Sequence, residues 1–158
     1  MGFHTADFCD TCKEEIQVLG AGFTNFGGKK KMKGALVTVK LNENNQELIR
    51  VLDEAGQGRV VVVDVQGAYV AVVGENLMKK ALKNGWSGFV INGYVRDVQA
   101  TKEIEVGLWA LGTCPRKCPN VVPGFVDHTV EFGGVRFEPG AYVYADMDGV
   151  IVSKDALV

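Results

Sequence analysis

The chain has 158 residues, 47% of them hydrophobic and 23% charged, with a formal net charge of −2. That balance excludes wholesale disorder and points to one globular domain, residues 1–158, whose core needs no disulfide staples. It leaves no global positive field for nucleic acid or an anionic membrane, and no apolar run approaches the roughly 18–20 residues of a membrane span. The opening Met1-Gly2-Phe3-His4-Thr5-Ala6 has no apolar signal core, so a cytoplasmic protein is expected.

In chain order, Ala6 to Ile16 reads as a short helix with Thr5 as its N-cap. Ala35 to Lys40 is a strand by its β-branched content. Asn45 to Ala55 follows as a helix, with Leu48, Ile49 and Leu52 on one face and Gly56 at the C′ position. Arg59 to Asp64 is a continuous apolar strand of the kind buried on both faces. Glu75 to Asn84 is a helix that turns Leu77, Ala81 and Leu82 inward and is closed by Gly85, and Gly88 to Asn92 is a second buried strand. The rhythm to this point is βαβαβ. The last third changes character. Asp127 to Phe137 is a hairpin about Gly133-Gly134, and Tyr142–Ala145 with Gly149–Ser153 is another across Met147-Asp148. A mixed, layered α/β/β domain fits this pattern better than a uniform doubly wound sheet.

Four cysteines fall in two pairs, Cys9/Cys12 and Cys114/Cys118. Two such pairs could clasp a zinc ion, but the loose second spacing and the distance between the pairs favour reduced, partly buried thiols. Lys29-Lys30-Lys31-Met32-Lys33 is the one basic cluster; without interleaved aromatics it reads as a solvated loop or strand edge. His128 beside Asp127 admits a catalytic reading, and Asp146 with Asp148 a metal-binding one; in both cases a turn is the favoured interpretation.

Two places carry more chemistry. The first is the exit of the second buried strand, Gly93-Tyr94-Val95-Arg96-Asp97. Ligand sites in α/β sheets favour the carboxyl ends of strands, a guanidinium can hold a carboxylate through two bonds, and the adjacent Asp97 could hold a divalent cation. The second is Gly74-Glu75-Asn76-Leu77, where a helix begins and unsatisfied N–H groups offer a seat for an anion. Each also has a plain reading: a surface ion-paired turn, and a first-turn acid answering the helix dipole. No G-x-G-x-x-G, P-loop or G-x-S-x-G occurs.

Gly85-Trp86-Ser87-Gly88, Val90-Ile91-Asn92-Gly93 and Val95-Arg96-Asp97 resemble the family of the regulator of ribonuclease activity A, which includes the class II 4-hydroxy-4-methyl-2-oxoglutarate aldolases. The resemblance runs nearly end to end, through Thr5-Ala6 and Cys9-Asp10, Phe26-Gly27-Gly28, Gly58-Arg59-Val60, Leu111-Gly112-Thr113 with Pro115-Arg116-Lys117, Phe132-Gly133-Gly134, and Tyr144-Ala145-Asp146. It implies a swivelling α/β/β sandwich, phosphohistidine-domain-like, assembled as a ring-shaped homotrimer or a dimer of trimers with clefts between subunits. It also implies that Pro115-Arg116-Lys117 is family scaffolding. Aldolase members carry an Asp, twenty residues, then Arg-Asp; here Glu75 stands at the first position and Arg96-Asp97 keep the second. Where the family usually places a glycine-rich loop and then an arginine after the Val63-Asp64 strand, this chain reads Val65-Gln66-Gly67-Ala68-Tyr69-Val70-Ala71-Val72-Val73, with no arginine.

The resemblance implies a lyase acting on small α-keto dicarboxylates, by aldol cleavage or oxaloacetate decarboxylation, through a pyruvate enolate. In it Asp97 would anchor Mg²⁺ or Mn²⁺, Arg96 would bind the keto oxygen or its carboxylate, Gly74 with the amides of Asn76 and Leu77 would seat that carboxylate, and Glu75 would shuttle a proton. The alternative the family implies is a non-catalytic ring that docks on a ribonuclease or RNA-processing partner.

Overall fold

In the computed structural model, which describes residues 2–42, 45–118 and 122–158, the helices are α1 (Thr5–Thr11), α2 (Gln46–Leu52), α3 (Glu75–Lys83) and α4 (Val98–Thr101). The strands are β1 (Ile16–Val18), β2 (Thr24–Asn25), β3 (Met32–Asn42), β4 (Val60–Asp64), β5 (Ala71–Val73), β6 (Gly88–Val95), β7 (Gly107–Thr113), β8 (Val122–Val126), β9 (Val130–Phe132), β10 (Val135–Phe137), β11 (Tyr142–Asp146) and β12 (Gly149–Ser153).

The valine run of β4 organises the molecule. Side chains alternate across a strand, so successive valines meet different layers. Val61 and Val63 pack with Leu48 and Leu52 of α2 and Met78 and Ala81 of α3. Val60 and Val62 pack with Phe132, Phe137, Val143 and Val150 of the antiparallel hairpins. Helices therefore cover one face and β-strands the other, and the layered α/β/β architecture expected from the sequence is the one observed. No polar residue interrupts Val60 to Val63, because both faces of β4 are buried; the buried Asp64 ends the strand.

One long strand joins the layers. The first part of β3 pairs antiparallel with β11 (Met32↔Ala145 to Ala35↔Tyr142), and its second part pairs parallel with β4 (Leu36↔Val60 to Lys40↔Asp64). The sheet then runs β4-β6-β7 in parallel and ends on β2, with β5 paired to the carboxyl end of β6. That parallel ordering puts the ends of β5 and β6 side by side, with α3 starting immediately beyond β5.

The two hairpins form as expected, β9–β10 about Gly133-Gly134 (φ +58° and +77°) and β11–β12 across Met147-Asp148. Several boundaries differ. The first helix ends at Thr11, and Ile16 opens β1, the edge strand, which pairs with β12. Thr5 is not an N-cap: its N–H and hydroxyl both donate to Asp146, 2.8 and 2.7 Å away. The second helix stops at Leu52, and Gly56 packs under Trp86, where a Cβ would lie 2.6 Å from the indole Cγ. On α3 it is Met78, with Leu77 and Ala81, that turns inward, while Leu82 is exposed. Among the described residues, no helix is long and apolar enough to cross a membrane.

Candidate functional site

β6 continues to Val95, so Arg96 and Asp97 leave the sheet directly from its carboxyl end. The Arg96 N–H donates to the Val73 carbonyl (3.0 Å), which ties this exit to the end of β5. Asp97 sits in the left-handed region (φ +62°, ψ +36°), a conformation that Asp tolerates better than most residues but that still costs on the order of 1 kcal/mol. The turn aims its carboxylate at the start of α3, where Oδ2 accepts the Glu75 N–H (3.0 Å). A side chain at position 74 would displace the Asp97 carboxylate. A Cβ there would lie 2.5 Å from Asp97 Oδ2, and the backbone itself is extended (φ −141°), so it is room rather than conformation that requires Gly74.

These chain ends border a cleft of about 240 Å³ lined by Gly74, Asn76, Leu77, Arg96 and Asp97, together with Asn45, Ile49 and Lys117 and the β5 residues Ala71, Val72 and Val73. Five of the six site residues expected from the sequence are thereby brought together. The sixth, Glu75, contributes its backbone N–H, but its carboxylate pairs along the helix with Lys79 (2.7 Å) and does not line the cleft. As N2 and N3 of α3, Asn76 and Leu77 have amides with no acceptor inside the helix, and the positive end of the helix dipole lies there.

Sequence reasoning missed Asn45, Ile49 and Lys117. Asn45 donates its side-chain amide to the Val72 carbonyl (3.3 Å), which sets it at the cleft's edge. Ile49 shares the apolar stripe of α2 but ends half-buried over the cleft. Lys117 belongs to the Pro115-Arg116-Lys117 stretch taken above as scaffolding; no local signal marks it, because it arrives by long-range pairing with Ala71. Burial pushes the Cys118 thiol up, opposed by the charges of Lys117 and, more weakly, Arg96.

Elsewhere the structure resolves open readings. All four cysteines are free, with Cys114 and Cys118 buried. Lys31 of the basic cluster holds the N-terminal arm, donating to the Phe3 carbonyl and lying 5.3 Å from that ring's centre. His128 is exposed, stacked edge-on to Phe125 in a turn. Asp146 is a buried turn acid. Burial alone would raise its carboxyl, but hydrogen bonds from Thr5, Asp148 and Gly149 hold it below the usual range. In the loop that replaces the glycine-rich segment, Gln66 and Gly67 take positive φ, and Tyr69 stacks edge-on to Tyr94 (4.9 Å).

Among the described residues, no three His, Cys, Asp or Glu side chains converge as a metal cage. A Mg²⁺-type ion asks for less: one or two carboxylates, waters and the oxygens of the substrate. Asp97 fits that requirement, with one oxygen engaged by Glu75 N–H and the neutral amides of Asn45 and Asn76 on the same cleft.

Comparison with known proteins bears on the family and the fold. The profile described as RraA-like: Aldolase/RraA matches residues 5–152. A protein of Ectopseudomonas mendocina provisionally named 4-hydroxy-4-methyl-2-oxoglutarate aldolase is 42% identical over 99% of this chain and 98% of its own. One of the same name from Aromatoleum aromaticum is 40% identical over the full length of both. Among solved structures, one described as an S-adenosylmethionine: 2-dimethylmenaquinone methyltransferase from Geobacillus kaustophilus superposes with a TM-score of 0.95 at 41% identity, covering 98% of this chain and 97% of that one. The RNA-processing inhibitor RraA from Thermus thermophilis superposes with a TM-score of 0.94 at 34% identity, covering 100% and 96%. Lyase, methyltransferase and inhibitor are thus all names carried by close relatives.

Proposed function

The chain belongs to the RraA-like family, and on that premise we propose that it is a divalent-metal-dependent carbon–carbon lyase. Its substrates are small α-keto dicarboxylates, cleaved by retro-aldol release of pyruvate or by decarboxylation of oxaloacetate. The observation that carries this reading is the Arg96–Asp97 turn locked against Gly74 at the start of α3, which sets a guanidinium, a carboxylate and two helix-end amides around one small cleft. A volume of about 240 Å³ suits a short acid and falls below the roughly 300 Å³ at which pockets for larger ligands begin.

Asp97 would hold Mg²⁺ or Mn²⁺, which when bound supplies Lewis-acid polarisation of a carbonyl oxygen. The protein's own groups account for the rest. The substrate's C1 carboxylate docks on the Asn76 and Leu77 amides, where the helix end favours an anion. That places the keto oxygen near Arg96. As the C3–C4 bond breaks, its electron pair passes into the C2–C3 enolate and negative charge grows on that oxygen. A fixed guanidinium stabilises the charge more than it does the neutral ketone, which is the condition for lowering the barrier. The enolate then takes a proton at C3 to become pyruvate.

The two reactions differ in one proton. Aldol cleavage must remove the proton of the 4-hydroxyl, whereas decarboxylation releases CO₂ and needs no base. With Asp97 reserved for the cation, Glu75 at the start of α3 is the acid assigned to this proton, and its exposed pair with Lys79 holds it by only about 0.3–0.5 kcal/mol, so it can turn to a cleft water at small cost. The test is to follow pyruvate formation from oxaloacetate with Mg²⁺, then with a chelator and with Arg96→Ala. Activity requiring both metal and arginine supports the lyase; a wild-type protein that forms no pyruvate overturns it.

A second reading, a non-catalytic regulator that binds a ribonuclease, is favoured by the likeness to the Thermus protein. It gains if the purified protein is inactive yet inhibits RNA cleavage in a reconstituted assay. For either function the family resemblance supports a homotrimer, which light scattering on the purified protein checks.

A further inference from the structure

We propose that Lys117 is a specificity-determining residue of this site, the cation that binds the substrate carboxylate remote from the keto group. The inference rests on the lyase reading above. Among the described residues lining the cleft, only Arg96 and Lys117 are basic, and the Val65–Val70 segment carries no cation in its sequence. A substrate with two carboxylates and a growing enolate charge needs a second positive group, and Lys117 is the one present.

Its position is built rather than incidental. Lys117 pairs with Ala71 in a parallel bridge, flanked by Ala71 N–H to the Arg116 carbonyl (2.7 Å) and Cys118 N–H to the Ala71 carbonyl (3.1 Å). Cys118 is buried in the core beside it, which anchors the segment to β5, the strand that leads into Gly74 and α3. Arg96 Nη1 donates to the Pro115 carbonyl (3.3 Å), so one short stretch of backbone fixes the spacing of both cations. Among the described residues no carboxylate pairs with Lys117, in contrast to Lys79 and Lys80, which are both occupied. An ammonium is a point charge on a flexible stem and suits a carboxylate that must be gripped without exact orientation.

The experiment uses calorimetric binding with Mg²⁺ and two probes that the protein cannot cleave. Pyruvate carries only the keto-acid end; 2-oxoglutarate adds the remote carboxylate and lacks the 4-hydroxyl. Wild type binds 2-oxoglutarate more tightly than pyruvate. Lys117→Gln weakens 2-oxoglutarate by about tenfold, the size of one solvent-exposed charge-assisted contact, and Lys117→Arg restores most of it. Pyruvate binding stays within about twofold in both variants, whereas Arg96→Ala weakens both probes. Because Lys117 is exposed, the melting temperature of each variant should match wild type and certifies the fold. If Lys117→Gln leaves both affinities unchanged or lowers both equally, the assignment is overturned and the lyase reading stands. If inorganic phosphate binds as tightly as 2-oxoglutarate and shows the same loss, the site is a general anion pocket and the assignment is again overturned. If wild type binds neither keto acid, the assignment and the lyase reading fall together.

Discussion

Asp146 ends a core strand and Asp97 lies just beyond one, and both accept backbone N–H groups, yet the fold uses them in opposite ways. At the hairpin end, Asp146 is 5% exposed and saturated: Thr5 supplies its N–H and hydroxyl, and Asp148 and Gly149 supply backbone N–H groups. At the cleft, Asp97 is exposed, held in a left-handed turn, and accepts a single described hydrogen bond, from Glu75 N–H. A carboxylate whose lone pairs are all consumed by the protein is a structural latch, here clasping the N-terminal helix to the hairpin. One with spare capacity beside a guanidinium and a helix end is available to a ligand. The difference lies in the partners: local sequence offers a cation-binding reading for both acids, and only the surrounding donors separate them.

That contrast can be broken most forcefully at the cleft. Arg96→Ala should lower pyruvate formation by about a hundredfold or more, equivalent to roughly 3 kcal/mol of lost charge stabilisation, with little change in melting temperature. Steady-state kinetics and calorimetry on the same preparation read both halves of that statement.

Asp146→Ala should do the reverse. It strands the donors of Thr5 in a buried site and costs roughly 2–3 kcal/mol of stability, with activity near wild type at temperatures well below unfolding. Its pH dependence has a definite sign. The folded carboxyl is held below its ordinary unfolded value of about 3.9, so its contribution is complete above that value and is lost as pH falls through the folded one. Acid unfolding curves of Asp146→Asn should therefore be flatter than wild type below about pH 4.

Gly74→Ala sharpens the comparison by perturbing the seat of Asp97 alone. The new Cβ would meet Oδ2 at 2.5 Å while the extended backbone accepts it. Activity should fall by at least about tenfold as the Asp97 carboxylate is displaced, and an overpacking of roughly 1–3 kcal/mol should lower the melting temperature by several degrees. The smallest effect is expected at Glu75→Gln. Aldol cleavage should slow by up to about tenfold, less than the full contribution of a well-placed base, because the carboxylate must first leave Lys79. Oxaloacetate decarboxylation should be nearly unaffected. Equal losses in both reactions would show that Glu75 acts through the helix terminus and not as a base.

What was legible in the sequence follows from how local each signal is. Val60 to Val63 announced a strand covered on both sides, and the switch to paired turns after residue 126 announced the β layer, because hydrophobic pattern and turn chemistry are written in consecutive residues. Arg96 and Asp97 were legible as a strand exit for the same reason. Thr5 misled because its capping chemistry was claimed by Asp146, 141 residues away. Gly56 misled because its role is a close approach to Trp86 and not a helix end. Lys117 was invisible for the same class of reason, since only pairing to Ala71 brings it to the cleft. The orientation of Glu75 depended on Lys79 one turn on, a neighbour that local reading could have weighed against the cleft.

The most direct test of the central claim does not require the physiological substrate. Pyruvate incubated in D₂O with the protein and Mg²⁺ should lose its methyl proton signal, because a cleft that stabilises the enolate exchanges those protons. Arg96→Ala and Asp97→Asn should abolish the exchange while remaining folded. Exchange no faster than in buffer with the wild-type protein would contradict the account and leave the cleft without the chemistry assigned to it.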